Sequence, residues 1–320
     1  MKILYIYKDY MKRRKRYGEM MESCGSSVKY LEVKDKHKKN NIFFNCIKDK
    51  PDAIWFQNAA YIKNNINFVD YAKSLNIKII SYYTFDPQES YADFQWMEVW
   101  KRIDYFFVHN KDFYEFLKEN GIISYYMPLG FYPDQYCKTI ENKIYDISFC
   151  GTDLSRESKK EDKRAEYVRS LREFGIIVYG KGFKDKVGDI PVFSYKTHEI
   201  QRKVYGQSKI NLDLPFFNTP HKFYKKGNKR YHIKNRFFEI PATGNFLLTI
   251  RCQEFLEIFG EDTIGYYDDN IESLKESVKK YLKDDKLRKK MSEKAYKLVH
   301  EKHTYLHRFK EMFKIIESNG

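Results

Sequence analysis

Ile233-Lys234-Asn235-Arg236-Phe237-Phe238-Glu239-Ile240-Pro241-Ala242-Thr243-Gly244-Asn245-Phe246-Leu247-Leu248-Thr249 reads as a helix over 234–242, a glycine stop at Gly244 and a buried strand. In that helix Arg236 and Glu239 stand at i and i+3, which puts a cation and a carboxylate side by side on one face. One member can hold a diphosphate while the other accepts hydrogen bonds from a ribose diol. An arbitrary Arg-x-x-Glu is more often a surface ion pair. Here, however, the strand is followed by Thr249 to Gln253, which opens another helix whose amide end is a natural anion site.

Outward from this stretch, short apolar runs recur, separated by charged stretches long enough to cross over as helices. The first half carries KILYIY (2–7), VKYLEV (28–33), AIWFQ (53–57), IKIISYYT (77–84), DYFFVHN (104–110) and ISYYMPLG (123–130). The second half carries DISFCG (146–151), FGIIVYG (174–180), PVFSY (191–195), KINLDL (209–214), GNFLLTI (244–250) and TIGYY (263–267). Strands alternating with helical patterns build parallel sheets. The lapse of periodicity over 133–145 marks the linker, and 270–318 reads as successive amphipathic helices. The expectation is an α/β chain of two Rossmann-like domains facing across a cleft. In open parallel sheets, ligands bind beyond the carboxyl ends of the strands.

A chain of 320 residues, 42% hydrophobic and 32% charged, can bury a sizeable core, which excludes a small binding module and a disordered polymer. The net charge of +15 and 18% aromatic content suit anionic ligands. No apolar run reaches the length of a membrane span and no signal peptide is visible, so the expected location is the cytoplasm. The five cysteines are scattered and never form CxxC, which suggests neither a disulfide framework nor a zinc knuckle.

RFFEIPATGNFLLT (236–249) with the following Glu254, IFGEDTIGYYDD (258–269) and HTYLHRF (303–309) resembles the C-terminal signature of the CgeB-like, spore maturation protein glycosyltransferases. The resemblance extends to YDISFCGT (145–152), IIVYGKGF (176–183), SKINLDL (208–214), FDP (85–87), RIDYFFVHNKDFYEFLKENGI (102–122) and MPLGFYP (127–133). It implies the GT-B fold: an acceptor domain over 1–138, a nucleotide-sugar donor domain over 139–302, and a terminal helix over 303–320 packing back on the first domain. It also implies a nucleoside-diphosphate sugar as donor, a UDP-sugar first among the candidates, and catalysis without a cofactor or an obligatory metal. Glu239 matches the ribose-holding glutamate, Arg236 lies where a diphosphate-binding cation is expected, helped by Lys234, and Gly151 matches a glycine that lets backbone approach phosphate. Gly180, Lys181 and Gly182 fall in the loop bordering the nucleobase, while Gly244 and Thr249 complete the donor-binding set. The chain departs from the wider retaining pattern at Tyr231, where a glutamate is usual.

The residues themselves agree with a metal-free reading, since no two aspartates stand at i and i+2 to form a DxD clamp. Arginines, lysines and helix amides then have to neutralise the leaving diphosphate. Asp86, in the turn after strand 77–84, and His109, at the end of the next strand, are the candidates for general acid/base or acceptor positioning. Asp before Pro is also an ordinary turn former. His300, His303 and His307 have a spacing that can bind metal, but no carboxylate or cysteine completes the set and packing is the expected role. Lys222, Lys225, Lys226 and Arg230 lie in the basic loop 215–233, whose interleaved aromatics suit a polyanionic acceptor such as DNA, a cell-surface polymer or an anionic lipid surface touched peripherally. Two other readings stay open at this point. One is a phage-type DNA-modifying glycosyltransferase acting on a modified base. The other is a non-catalytic nucleic-acid-binding protein with a Rossmann-like shell.

Overall fold

The computed structural model describes every residue except 9–14, 34–41, 58, 85–93, 153–162, 195–196, 216–230, 232 and 320. Two compact units emerge: Met1–Leu129 with Tyr305–Gly320, and Gly130–Pro220 with Lys229–Thr304. The first unit runs β1 (Lys2–Tyr7), α1 (Lys15–Ser23), β2 (Ser27–Glu32), α2 (Ile42–Cys46), β3 (Ala53–Phe56), α3 (Ala60–Lys63), α4 (Ile66–Ser74), β4 (Lys78–Tyr83), α5 (Phe94–Trp100), β5 (Tyr105–Val108), α6 (Lys111–Glu119) and β6 (Tyr125–Tyr126). The second runs β7 (Tyr145–Cys150), α7 (Lys163–Ser170), β8 (Ile176–Tyr179), β9 (Val192–Phe193), α8 (His198–Gln207), β10 (Ser208–Leu212), α9 (Arg236–Ala242), β11 (Leu247–Ile250), α10 (Gln253–Phe259), β12 (Gly265–Tyr267), α11 (Ile271–Lys283) and α12 (Asp285–Lys302). The last helix, α13 (Tyr305–Ser318), groups with the first unit.

Each unit holds a six-stranded sheet, ordered β2-β1-β3-β4-β5-β6 in the first and β12-β11-β10-β7-β8-β9 in the second. Every strand pair is parallel. The central strands are covered on both faces by helices, which is why β3, β5 and β11 are buried throughout and, Thr249 apart, built of hydrophobic residues. The edge strand β2 is half-exposed along its length. In the second unit β8 and β9 extend from one side of β7, and β10 returns to pair with its other side. That reversal of strand order opens a crevice beyond the carboxyl ends of β7 and β10.

In the first unit, α13 closes one face of the sheet with an aromatic layer. Phe309 sits 5.4 Å from both Trp55 and Tyr17 in ring-centroid distance, and Phe313 sits 6.2 Å from Trp55. The helix is also tied by Arg308 Nε, which donates to the Leu129 carbonyl at 3.2 Å, and by the Tyr105 hydroxyl, which donates to the Ile316 carbonyl at 3.3 Å. Burial pulls the Arg308 guanidinium pKa down from its usual value. Among the described residues no helix is long and apolar enough to cross a membrane.

All three tryptophans, Trp55, Trp96 and Trp100, lie in the first unit, so their fluorescence follows that unit alone. Phe309→Ala opens a cavity against Trp55 and Tyr17 and is expected to cost about 3–5 kcal/mol. A fall in the urea midpoint of the tryptophan signal checks this.

Candidate functional site

The site builds from the carboxyl ends of β7 and β8. Gly151 leaves β7 and donates its N–H to the Tyr179 carbonyl at 2.9 Å, while the Gly180 N–H donates to the Phe193 carbonyl at 2.7 Å. The two glycine backbones touch. A Cβ on Gly180 would stand 1.6 Å from the Gly151 carbonyl oxygen, closer than any relaxation of a side chain can relieve. Glycine is therefore required at 180 by sterics, whatever binds there. Beyond this contact opens a cavity of about 530 Å³, lined by Thr152, Gly180, Lys181, Gly182, Lys184, Val192, Phe193 and Ser194. Gly182 turns the loop with a φ of 86°. The half-exposed Phe193 ring stacks on Tyr179 at 5.0 Å, leaving an aromatic surface at the cavity wall.

Across the crevice, β10 is followed directly by Asp213, which has no solvent exposure. Arg236 Nε donates to Asp213 Oδ1, and the Thr249 hydroxyl donates to Asp213 Oδ2 at 3.3 Å. Arg236 Nη2 stands 3.5 Å from the Leu214 carbonyl, and the guanidinium lies 5.6 Å from the centre of the Phe149 ring. Glu239, one helical turn on, is buried with Arg236 in the same neighbourhood as Cys150 and Tyr205. Both charges act on the Cys150 thiol, which burial pushes up to about 12, and on the Tyr205 hydroxyl, which burial pushes well above its usual value. Gly244 ends α9 with a φ of 75°, its N–H donating to the Pro241 carbonyl at 2.8 Å. Arg236, Glu239, Thr249 and Gly151 thus come together at the strand-order reversal, with Gly180 and Lys181 on the adjoining loop. The helix is shorter than the 234–242 read from sequence, because Lys234 and Asn235 form the turn leading into it. The amide expected to open an anion site beyond Thr249 is partly engaged: Arg251 N–H donates to the Tyr267 carbonyl at 2.7 Å.

Two residues of this region went unread in the sequence. Asp213 was visible only as the last polar letter of KINLDL, and its partner stands 23 residues away. Asp269, following β12, accepts from Lys163 at 2.9 Å and Tyr167 at 2.7 Å, and the Tyr231 hydroxyl bonds to it as well. Position 231 therefore holds a phenol bound to a carboxylate from another element.

His109 belongs to the first unit. It is 3% exposed and its Nδ1 donates to the Tyr83 carbonyl at 3.2 Å. Asp86, Lys222, Lys225, Lys226 and Arg230 lie outside the described residues. His300 Nε2 donates to the Ala242 carbonyl at 3.1 Å, and His303 stacks on Phe238 at 5.3 Å. Among the described residues no group of three histidines, cysteines or carboxylates is arranged to hold a metal.

A family model described as Glycosyl transferase-like matches residues 162–314. That segment, a little under half of the chain, is similar to glycosyltransferases. No curated protein matches in sequence. Among solved structures, sucrose-phosphate synthase from Thermosynechococcus elongatus superposes with a TM-score of 0.68 at 10% identity, covering 99% of this chain and 98% of its own. Anabaena HepE in complex with UDP and glucose gives 0.68 at 7% identity, covering 99% and 100%. An E. coli trehalose-6-phosphate structure bound with UDP-2-fluoro glucose gives 0.62 at 10% identity, covering 98% of each chain. At such identities the likeness establishes the fold, which is that of the GT-B glycosyltransferases.

Asp213→Ala leaves Arg236, 11% exposed, without its counter-charge in the crevice. Breaking a buried pair from one side is expected to cost about 3–5 kcal/mol. Chemical denaturation followed by far-UV circular dichroism measures it.

Proposed function

We propose that the protein transfers a sugar from a nucleoside-diphosphate donor to an acceptor hydroxyl, with the donor held by the second unit. The observation that carries this reading is where the segment similar to glycosyltransferases puts its polar residues. Arg236, Glu239 and Thr249 meet Gly151 and Gly180 at the one reversal of strand order in their sheet. A UDP-sugar is the first donor to test, as UDP or a UDP-sugar is bound in several of the structurally similar proteins.

Glu239 is assigned to the ribose diol and the cavity beside Gly180 and Lys181 to the base, with Phe193 as a stacking surface. Arg236, with Lys234, is assigned to the diphosphate. Because Asp213 balances its charge, Arg236 acts mainly as an oriented donor. The carboxylate fixes the guanidinium before substrate arrives, and a preorganised donor stabilises developing charge without reorganisation cost. Gly244 sets the end of α9 and so the height of Glu239. The absence of a DxD pair from the sequence supports leaving-group stabilisation by these side chains without an obligatory metal. His109 or Asp86 of the first unit is assigned to the acceptor hydroxyl, which a side chain of either type can position or relieve of its proton. The net charge of +15, with Lys222, Lys225, Lys226 and Arg230 contributing, supports a polyanionic acceptor. Thiols free of disulfides agree with a reducing, cytoplasmic setting.

A thermal-shift series with UDP-, GDP-, ADP- and dTDP-sugars in EDTA tests the reading. One nucleotide at about 100 times its dissociation constant is expected to add about 2.7 kcal/mol to stability. Arg236→Ala and Glu239→Ala are expected to lose most of that shift. A protein that responds to none of these donors contradicts the proposal.

A further inference from the structure

Where β12 gives way to the loop before α11, one side chain is left incomplete. Tyr267, the last residue of the strand, is 2% exposed, and its hydroxyl has no hydrogen-bond partner. The groups whose charges act on that hydroxyl are Asp213 and Asp269, together with the phenols of Tyr167 and Tyr231. The Tyr167 and Tyr267 rings are 6.3 Å apart. A buried phenol without a partner costs about 1–3 kcal/mol, and such groups in native proteins usually meet a ligand or an ordered water.

Its neighbours are already engaged with one another. Asp213 accepts from Arg236 and Thr249. Asp269, whose side chain is 10% exposed, accepts from Lys163 and Tyr167 through Oδ1 and is bonded by Tyr231. Each carboxylate thus has a cation beside it. An added anion would meet two carboxylates whose counter-charges are in use. An added neutral hydroxyl meets what it needs, since it can accept from the Tyr267 phenol and donate to carboxylate lone pairs. Several hydroxyls fixed on one rigid ring suit a cluster whose donors and acceptors come from separate elements, here α7, Tyr231 and β12.

We propose that Asp269, Tyr231 and Tyr267 form a subsite for the hydroxyls of the glycosyl group carried by the nucleotide donor. The Tyr267 hydroxyl donates to one sugar oxygen and the Asp269 carboxylate accepts from another. This rests on the reading of the protein as a nucleotide-sugar-dependent transferase, and it assigns sugar discrimination to residues apart from the diphosphate-holding Arg236.

Tyr267→Phe removes a hydroxyl that has no hydrogen-bond partner, so the variant is expected to melt no lower than the wild type. Calorimetric titrations then compare four pairs: UDP with UDP-glucose, dTDP with dTDP-glucose, GDP with GDP-glucose and ADP with ADP-glucose. The wild type is expected to bind one glucose conjugate more tightly than its parent nucleotide. Tyr267→Phe is expected to keep nucleotide affinity within about twofold while losing about tenfold toward the conjugate, the effect of one hydrogen bond in a dry site. Tyr231→Phe is expected to shift the same ratio in the same direction. Conjugate affinity unchanged in Tyr267→Phe, equal losses for nucleotide and conjugate, or a wild type indifferent to the glucosyl group each overturn the subsite. A wild type that binds no nucleotide of the panel overturns the donor reading itself.

Discussion

The second unit is organised around a carboxylate that water cannot reach. Asp213 follows directly on β10, receives Arg236 from α9 and receives Thr249 from the adjacent strand. A buried carboxylate is tolerated only when its lone pairs are met, so this one residue dictates where the amino end of α9 sits against the sheet. Once Arg236 is fixed, helical geometry fixes Glu239 one turn on. The direction in which the site presents its hydrogen-bonding groups follows from that single electrostatic requirement.

The other wall is set by sterics. Gly151 and Gly180 come from adjacent strands whose ends approach so closely that a side chain at 180 would run into the Gly151 backbone, while one at 151 would run into the Phe149 ring. Backbone is thereby exposed where a substrate phosphate or base would approach. One wall is thus polar and held by charge, the other is bare backbone, and an aromatic ring, Phe193, lies at the edge. That combination of oriented donors, a carboxylate and a flat apolar surface is what a nucleotide requires in three different places.

Much of this architecture is legible in the chain. Each of the twelve apolar runs overlaps one of the twelve strands among the described residues, β2, β7 and β10 starting one residue before their runs, because strands buried on both faces of a parallel sheet leave no ambiguity between hydrophobic face and solvent face. The runs at 123–130 and 191–195 shrink to two-residue strands, since an edge position satisfies only one side of the ladder. Gly244 could be read as a helix stop from its place after an apolar periodic segment. Asp213 could not be read in the same way. Its identity as an ion-pair partner depends on β10 and α9 meeting in space, and no local pattern encodes that. Asp269 was hidden for the same reason, and so was the bond by which Tyr231 reaches a carboxylate from another element.

The central claim is that a nucleotide sits against the Gly151–Gly180 contact, and photo-crosslinking tests it most directly. The protein is irradiated with 5-azido-UDP, 8-azido-GDP and 8-azido-ADP in turn, and the labelled peptides are identified by mass spectrometry. The account predicts that one probe, displaceable by its unmodified nucleotide, labels the segment 180–194 around Lys181 and Phe193. Displaceable labelling confined to the first unit would contradict it.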